Sequence, residues 1–180
     1  GRQSFGYMRM SDPCTSTNGT SYSSGTGCTG ARLYQAHVDS NKTRDPLVFF
    51  GANDGQLHAV SGNTGAEKLA YVPASVFVNW TETDQDGVRD AGETVEKKLY
   101  NLTQKNYVHR FFVNGSPFVG DAWDGSKWRT LVTTGMGAGG RSVVTVDAGD
   151  NVFGAADILW EYSHPELGFT YSRPIIARLQ

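Results

Sequence analysis

Short apolar strands separated by glycine turns occur in two units along the chain, and this pattern restricts the possible folds more than any other feature. In the first unit the strands are residues 46–52, 56–61 and 67–73, with Asn53-Asp54-Gly55 and Asn63-Thr64-Gly65 at the turns. Asn, Asp and Gly tolerate the positive φ angles that tight hairpins require. Three short antiparallel strands at this spacing predict most of one blade of a β-propeller.

The second unit repeats the first. Its strands are predicted at residues 127–134, 141–147 and 157–162, and Gly135–Gly140 takes the place of the first turn. Two further strands are predicted before it, at residues 107–113 and 118–122. The unit therefore recurs at roughly 80 residues with insertions, and such repetition is typical of a blade array.

The predicted fold class is all-β, with residues 44–180 forming a partial β-propeller. They provide about two blades and the start of a third at Tyr171–Leu179. Because a propeller closes with at least about four blades, we expect the chain to be a fragment of a larger propeller. Residues 1–43 form a separate N-terminal segment, in which 5–10 and 31–38 are predicted strands and 11–30 a loop.

Size and charge limit the class of protein. With 180 residues the chain is long enough for one ordinary domain, and its net charge is −2. No basic stripe appears, so the sequence predicts no nucleic-acid partner. No run approaches the ~20 apolar residues of a membrane helix, and no signal peptide opens the chain. We expect no membrane span, and a mature piece or an excised fragment.

The stretch Glu82–Glu93 carries regularly spaced carboxylates. They occupy relative positions one, three, five, nine and twelve, as Glu82, Asp84, Asp86, Asp90 and Glu93. Alternate residues of a curled loop turn toward one centre, where such carboxylates without a cation would cost several kcal/mol of repulsion and desolvation. A hard cation removes that cost, and Ca²⁺ takes about six to eight oxygen ligands in flexible geometry. The spacing predicts a calcium site.

The EF-hand pattern matches this stretch in part. Asp84, Asp86, Gly87 and Glu93 agree with it, and Glu82 replaces the usual first Asp. The preceding residues 76–80 are β-branched and aromatic, which argues against the first helix of an EF-hand. We therefore interpret the stretch as a calcium-type loop inserted between β elements. The alternative is an acidic surface turn that binds nothing.

The two cysteines, Cys14 and Cys28, lie in a segment rich in Ser, Thr and Gly. They lack CxxC spacing and a nearby histidine pair, which argues against zinc. A disulfide between them would contribute roughly 3 kcal/mol in the chain-entropy model and would suit a secreted or periplasmic protein. Two free thiols are the alternative.

Six strings of the sequence resemble the β-propeller of the PilC/PilY family, the type IV pilus tip-associated adhesins, and they follow the family's order. The strings are GANDGQLHAVSGNTGAEKLAYVP, YVHRFFVNGSP, GDAW, WRTLVTTGMGAGGRSVVTVD, ILWEY and LGFTYSRPIIARL. The resemblance covers residues 44–180, and residues 1–43 do not add to it.

The resemblance implies a secreted bacterial protein at or near the pilus tip, on the cell surface or associated with the outer membrane. The implied roles are control of pilus biogenesis, of extension and retraction and of twitching motility, together with adhesion. The implied partners are type IV pilin or minor pilins and a host-cell surface. No enzymatic activity is implied.

The family is also known for a calcium loop of DxDxDxxxD type. The resemblance maps it to Glu82, Asp84, Asp86 and Asp90, with a backbone carbonyl near Val88 as a further ligand. The departure is Glu82 in place of the first Asp. Its extra methylene still lets the carboxylate reach the ion but loosens the site.

Other candidate sites are weaker. Asn53-Asp54-Gly55 with Thr64-Gly65 is also similar to the blades of quinone-dependent dehydrogenases, but no vicinal cysteine pair is present. Met136–Arg141 resembles a phosphate loop, yet it lacks the Gly-Lys-Ser/Thr ending and precedes a strand. We attribute its glycines to tight backbone packing. A structural repeat without a ligand is the remaining alternative.

The histidines and tryptophans are interpreted as structural. No Ser-His-Asp or HExxH arrangement includes any of the four histidines. His58 and His109 are predicted strand residues with structural hydrogen bonds. The tryptophans are expected to pack in or between blades; they are Trp80, Trp123, Trp128 and Trp160.

Overall fold

The computed structural model describes residues 34–77, 79–80, 95–96, 98–124, 126–164 and 166–177. The helices in these ranges are α1 (Tyr34–Ser40), α2 (Ala74–Phe77) and α3 (Lys98–Asn101), with a 3₁₀ turn at Ala155–Asp157. The strands are β1 (Leu47–Gly51), β2 (Leu57–Ser61), β3 (Glu67–Tyr71), β4 (Asn79–Trp80), β5 (Val95–Glu96), β6 (Phe118–Trp123), β7 (Trp128–Gly135), β8 (Ser142–Asp147) and β9 (Ile158–Ser163).

All strand pairs are antiparallel and join sequence neighbours. The first sheet has the order β1-β2-β3, the second β6-β7-β8-β9, and β4 and β5 form a separate pair. None of the helices in the described ranges has the length and apolar character of a membrane span.

The first sheet follows the hairpin pattern of the sequence. At the turn between β1 and β2, Gly55 has a φ of 94°, which glycine adopts without steric cost. The Asp54 carboxylate accepts a hydrogen bond from the backbone N–H of Gln56 at 3.0 Å and so fixes the turn locally. The three strands predicted for this unit are confirmed as β1, β2 and β3.

The second sheet confirms the predicted strands 118–122, 127–134, 141–147 and 157–162 as β6, β7, β8 and β9. The two sheets also share an irregularity. The register shifts between Ala59 and Val60 where β2 pairs with β3, and between Thr145 and Val146 where β8 pairs with β9. Since β2 corresponds to β8 and β3 to β9 in the repeat, the structural units match in this detail as well.

One cluster of buried side chains joins the two sheets. It draws on β2, α2, the segment before β6, the glycine-rich turn and β8, through Leu57, Val76, Phe112, Val113, Met136, Val144 and Val146. Both sheets therefore share a continuous core, which is the expected way for blade-like units to bury apolar faces.

The glycine-rich turn between β7 and β8 packs against backbone. A Cβ atom at Gly139 would overlap the carbonyl oxygen of Phe112, and one at Gly115 would overlap that of Gly135. Gly137 has a φ of 57°, in the left-handed region that favours glycine. These contacts agree with the interpretation that the glycines serve close backbone packing.

The predicted strand at residues 31–38 is wrong for its described part, because Tyr34–Val38 lie in α1. The Tyr34 hydroxyl donates to Asp121 at 2.9 Å, and His37 Nε2 lies 3.4 Å from the same carboxylate. A helix places residues three apart on one face, whereas a strand would place them on opposite faces. The long-range contact with β6 explains the helix.

The predicted strand at residues 107–113 is also wrong, since the structure gives this described stretch no regular strand. Phe112 and Val113 are consecutive and both buried, which strand alternation does not allow for a sheet with one buried face. The backbone N–H of Asn114 donates to the Met136 carbonyl at 3.1 Å. The glycine-rich turn therefore holds this segment outside the sheet.

The region before the acidic stretch contains a short helix followed by a short strand. The composition of residues 76–80 argues against a helix, but α2 extends through Phe77 before β4 begins at Asn79. Val76 reaches the core from this short helix with 1% exposure. Farther on, residues 171–177 form no strand in the structure, and the third unit stays a prediction.

We expect Gly139→Ala to lower the free energy of unfolding by roughly 1–3 kcal/mol, the usual range for overpacking. The added methyl group would displace the Phe112 backbone. Urea unfolding measures the change. Gly168→Ala is the control, because nothing lies within 4 Å of its added Cβ, and it should stay within about 0.5 kcal/mol. Equal effects of the two substitutions would contradict the packing argument.

Candidate functional site

The predicted metal loop lies outside the residues that the structure describes. This applies to Glu82, Asp84, Asp86, Val88, Asp90 and Glu93, and likewise to Cys14 and Cys28. The calcium site and the disulfide therefore stay predictions. The structure does describe the elements on either side of the acidic stretch, α2 and β4 before it and β5 and α3 after it. We call these four elements the loop frame.

The strands of the loop frame hold the two ends of the acidic stretch together. β4 and β5 pair with Asn79 opposite Glu96 and Trp80 opposite Val95. Paired strands lie about 5 Å apart, so Trp80 and Val95, the described residues on either side of 81–94, lie at adjacent points. This agrees with the interpretation of a loop inserted between β elements. Backbone pairing at its base also removes part of the entropy cost of closing the loop.

The helices of the loop frame pack on the first sheet. A Cβ atom at Gly55, in the β1–β2 turn, would come within 2.6 Å of Leu99 Cδ2 and 3.0 Å of Val76 Cγ1. The turn therefore lies directly against both α2 and α3. Val76 belongs to the shared core, and Leu99 packs against it. The first sheet thus supports the loop frame through apolar contacts.

A carboxylate of the second sheet provides the other support. Glu161 on β9 accepts hydrogen bonds from the backbone N–H groups of Ala74 and Ser75, at 2.8 and 3.1 Å, and from the Tyr71 hydroxyl at 3.2 Å. Burial, followed by the charge and hydrogen bond of Glu161, raises the pKa of Tyr71 to about 12. Glu161 is not among the predicted site residues, although it is the one carboxylate within the apolar run Ile158–Tyr162.

The chemistry of the loop fits a hard divalent cation. The predicted ligands are carboxylates and one backbone carbonyl, which are the oxygen donors that Ca²⁺ prefers. The closed base formed by β4 and β5 suits a loop whose ligands must converge. The described part of the chain contains no group of three or more His, Cys, Asp and Glu side chains placed to hold a metal ion.

Asp121 on β6 is engaged in hydrogen bonds within the protein. It accepts hydrogen bonds from Tyr34 at 2.9 Å and Thr130 at 2.8 Å, with His37 at 3.4 Å. Burial alone would raise the pKa of Asp121, but the hydrogen bonds from His37, Thr130 and Tyr34 outweigh it and hold the pKa below its ordinary value. This cluster fastens α1 to the second sheet.

Arg129 on β7 bridges two carboxylates. Its Nε donates to Asp124 and its terminal nitrogen to Asp147, each at 2.5 Å. Backbone hydrogen bonds from Lys127 and Ser126, with further help from Arg129, hold the pKa of Asp124 far below its ordinary value. These contacts fix the β6–β7 turn and leave the three charged groups with structural partners.

His58 on β2 lies between two carboxylates. Nδ1 is 2.8 Å from Glu67 and Nε2 is 2.9 Å from Asp54, and the ring stacks on Phe50 with centroids 5.1 Å apart. Burial alone would lower the pKa of His58, but hydrogen bonds to Glu67 and Asp54 and their charges outweigh it and raise the pKa. The prediction of a strand histidine with structural hydrogen bonds is confirmed.

The other aromatic predictions have mixed outcomes. His109 contacts the Asn53 side chain at 3.0 Å, but it lies in no strand. Trp128 is buried and packs against Trp123 and Tyr34, as expected for packing within a blade. Trp160 is 47% exposed, so its packing between blades stays a prediction.

A cleft of about 770 Å³ lies between α1, β1 and β6. Its polar lining is largely engaged in intramolecular bonds. Asp121 accepts hydrogen bonds from Tyr34 and Thr130. Arg44 donates to the carbonyl groups of Ala148 and Gly149, at 2.6 Å each. Arg173 lies over the Phe118 ring at 5.2 Å. The cleft therefore presents few unengaged polar groups and does not make a second candidate site.

We expect His58→Gln to destabilise the protein more at about pH 6 than at about pH 9. The folded-state pKa lies above the ordinary value of about 6.5, so the ion pairs contribute stability below that pH. This contribution is lost as the pH rises through the folded-state pKa. Thermal melts at both pH values measure the effect. His164→Gln is the control because it leaves the pairs with Asp54 and Glu67 intact. An equal loss at both pH values would contradict the prediction.

Comparison with known proteins assigns the family. A family model described as the PilY1 beta-propeller domain matches residues 21–180. The match thus begins upstream of residue 44 and includes α1, which the resemblance noted in the sequence analysis does not cover. It extends over most of the chain.

Individual relatives support the same family assignment. The type IV pilus biogenesis factor PilY1 of Pseudomonas aeruginosa (strain PAO1) is 34% identical over 152 residues, which are 81% of this chain and 11% of that protein. A PilY1 homolog of Xylella fastidiosa is 32% identical over 156 residues, which are 83% of this chain and 11% of that protein. The chain therefore spans only a small part of the curated relatives it matches.

A solved structure agrees as well. The crystal structure of the P. aeruginosa PilY1 C-terminal domain matches with a TM-score of 0.55 and 31% identity, over 81% of this chain and 24% of that one. The predicted family and the predicted all-β propeller fold are thus confirmed. The chain belongs to the PilY1 β-propeller domain family.

Proposed function

We propose that the chain is a calcium-binding β-propeller module of a type IV pilus biogenesis factor. In this proposal calcium regulates pilus extension and retraction, twitching motility and adhesion. The observation that carries it is the carboxylate spacing of residues 82–93 on a stretch whose two ends are held by the β4–β5 pair. Membership of the PilY1 β-propeller domain family supports the link to the pilus.

The ligands follow from the residues. Glu82, Asp84, Asp86 and Asp90 would hold the ion through their carboxylates and Val88 through its backbone carbonyl, with Glu93 as a further acidic ligand. Bound Ca²⁺ supplies the positive charge that offsets repulsion among these groups. The loop frame supports this proposal, because α2 and α3, which flank the stretch, pack on the shared core.

The proposed role is binding rather than catalysis. In the described part of the chain, His58, Asp121 and Arg129 all have structural partners. An ordered loop would present a defined surface to type IV pilin or minor pilins, and to a host-cell surface. The proposed location is the pilus tip on the bacterial surface, because the relatives are named as type IV pilus biogenesis factors.

We expect Ca²⁺ to raise the melting temperature of the chain and Asp86→Ala to abolish this rise, because alanine removes the ligand oxygen that asparagine would keep. Free Ca²⁺ at 100 times its dissociation constant stabilises by about 2.7 kcal/mol, which corresponds to roughly 5–10 °C for a domain of this size. Thermal melts with Ca²⁺ and with a chelator measure the shift, and calorimetric titration measures the affinity.

The control for this experiment is Glu166→Gln, an exposed carboxylate outside the loop frame. It should keep the full calcium response. A melting temperature that does not change with Ca²⁺, together with the absence of binding heat for the unmodified chain, would remove calcium from the function and leave the pilus role without this regulator.

In a bacterium whose complete protein contains this domain, we expect Asp86→Ala to reduce twitching motility and surface pili. The substitution removes one carboxylate ligand while leaving the loop length unchanged. Twitching-zone diameter and sheared-pilus yield measure the effect at equal protein abundance, with Glu166→Gln as control. Normal motility in a variant that has lost calcium binding would show that the site does not regulate the pilus.

A further inference from the structure

The first sheet has one strand fewer than the second. Within the described ranges β1 pairs with β2 alone, so the first sheet ends at β1 on that side. In the second sheet the corresponding strand, β7, has a partner on each side, β6 and β8. Since β1 corresponds to β7 in the repeat, the first sheet lacks a counterpart of β6.

Hydrogen bonds at the two ends of β1 show which of its backbone groups face β2. The Ala52 N–H donates to the Gln56 carbonyl at 3.0 Å. The Gly62 N–H donates to the Pro46 carbonyl at 2.6 Å. Successive residues of an antiparallel strand alternate between facing the partner strand and facing away from it. The even-numbered residues of β1 therefore bond to β2, and the odd-numbered residues face the other way.

Leu47 and Phe49 are the odd-numbered residues in the middle of this side of β1, which we call the open edge. Their N–H and C=O groups form no hydrogen bond with any other group in the part of the chain that the structure describes. β2 obeys the same alternation, because the Ser61 N–H bonds to the Ala66 carbonyl on the β3 side at 2.9 Å. Unpaired backbone groups along a strand edge are a template for pairing with another strand.

The open edge is short and limited at both ends. At one end the Asp45 carbonyl already accepts a hydrogen bond from the Asn151 side chain at 2.7 Å. At the other end a Cβ atom at Gly51 would overlap the Val113 carbonyl oxygen, so the segment before β6 lies beside that residue. The interval between these points admits a short strand of about three to five residues.

The cleft between α1, β1 and β6 borders the open edge. Leu47 and Phe49 line it from β1, and Phe118 and Val119 line it from β6. Val119 is 48% exposed, so an added segment would cover apolar surface there. The side chains of the cleft offer few polar groups to a small ligand, but an apolar wall next to unpaired backbone groups suits an extended segment with apolar side chains.

We propose that the open edge of β1 receives a further strand of the same polypeptide, which precedes β1 in the sequence and pairs with Leu47 and Phe49 in antiparallel orientation. The topology favours this occupant. Every described strand pair is antiparallel and joins sequence neighbours, and β6 is the strand directly before β7. The added strand completes the first sheet as β6 completes the second, and this role does not depend on calcium.

The test is hydrogen exchange at single-residue resolution, measured by mass spectrometry on a complete protein that contains this domain. We expect the N–H groups of Leu47 and Phe49 to exchange more slowly than in an unprotected peptide, by roughly 100-fold or more, because each bonds to the added strand. The N–H groups of Val48 and Phe50 face β2 and are the internal reference for a protected strand.

Two substitutions separate hydrogen bonding from burial as the cause of slow exchange. Phe49→Pro removes the N–H that faces the open edge, whereas Phe49→Ala keeps it. Both lose the contact between the rings of Phe49 and Phe153. With the strand in place, Phe49→Pro should lower the melting temperature of the complete protein by roughly 2–4 °C more than Phe49→Ala, as expected for one lost hydrogen bond. Proline is tolerated on an unpaired strand edge, so equal effects would overturn the proposal.

The exchange data also identify the source of the strand. Slow exchange at Leu47 and Phe49 that is independent of protein concentration would establish pairing within one polypeptide. Protection that falls on dilution would show pairing between two copies, and protection that requires added type IV pilin would show pairing with a partner; either result would overturn the assignment. Rapid exchange at both residues, with Val48 and Phe50 protected, would show that the edge stays open.

Discussion

The structure depends on the close backbone approach of three segments around Met136. The Met136 carbonyl accepts hydrogen bonds from Asn114 and Gly139, and its N–H donates to the Thr170 hydroxyl at 2.7 Å. Met136 is fully buried in the core that joins both sheets. Such an approach requires glycine at the contact, because any Cβ at Gly139 would overlap the Phe112 backbone. The continuous core follows from this constraint.

The loop frame takes its position from that core and from the second sheet. Apolar contacts through Val76 and Leu99 set it against the β1–β2 turn, whereas hydrogen bonds to Glu161 set it against β9. Apolar contacts are not directional, so hydrogen bonds with fixed geometry determine the orientation of α2 more closely. The predicted calcium loop therefore departs from a base supported on two sides.

The relation to PilY1 gives this arrangement a biological setting. The chain corresponds to 24% of the solved C-terminal domain and to 11% of the curated relatives. Among the described residues the titratable clusters around His58, Asp121 and Arg129 have structural partners, so the proposed regulation would act through the surface of the loop. Calcium would change that surface by binding energy alone, without a chemical step.

The sequence by itself determined the repeat, seven of the strands and the family. Turn residues such as Asp54 and Gly55 act over two or three positions, so local chemistry specifies the hairpins. The spacing of the carboxylates in residues 82–93 is equally local, and it predicts a metal loop without reference to the rest of the chain.

The tertiary structure decided the remaining elements. α1 forms where Tyr34 and His37 meet Asp121, a partner more than eighty residues away. The segment before β6 stays irregular because its backbone N–H at Asn114 donates a hydrogen bond to the glycine-rich turn. Glu161 acquires its role only when β9 comes beside α2. Propensity is a weak guide wherever a distant contact competes with it, and none of these partners is visible within a short window of sequence.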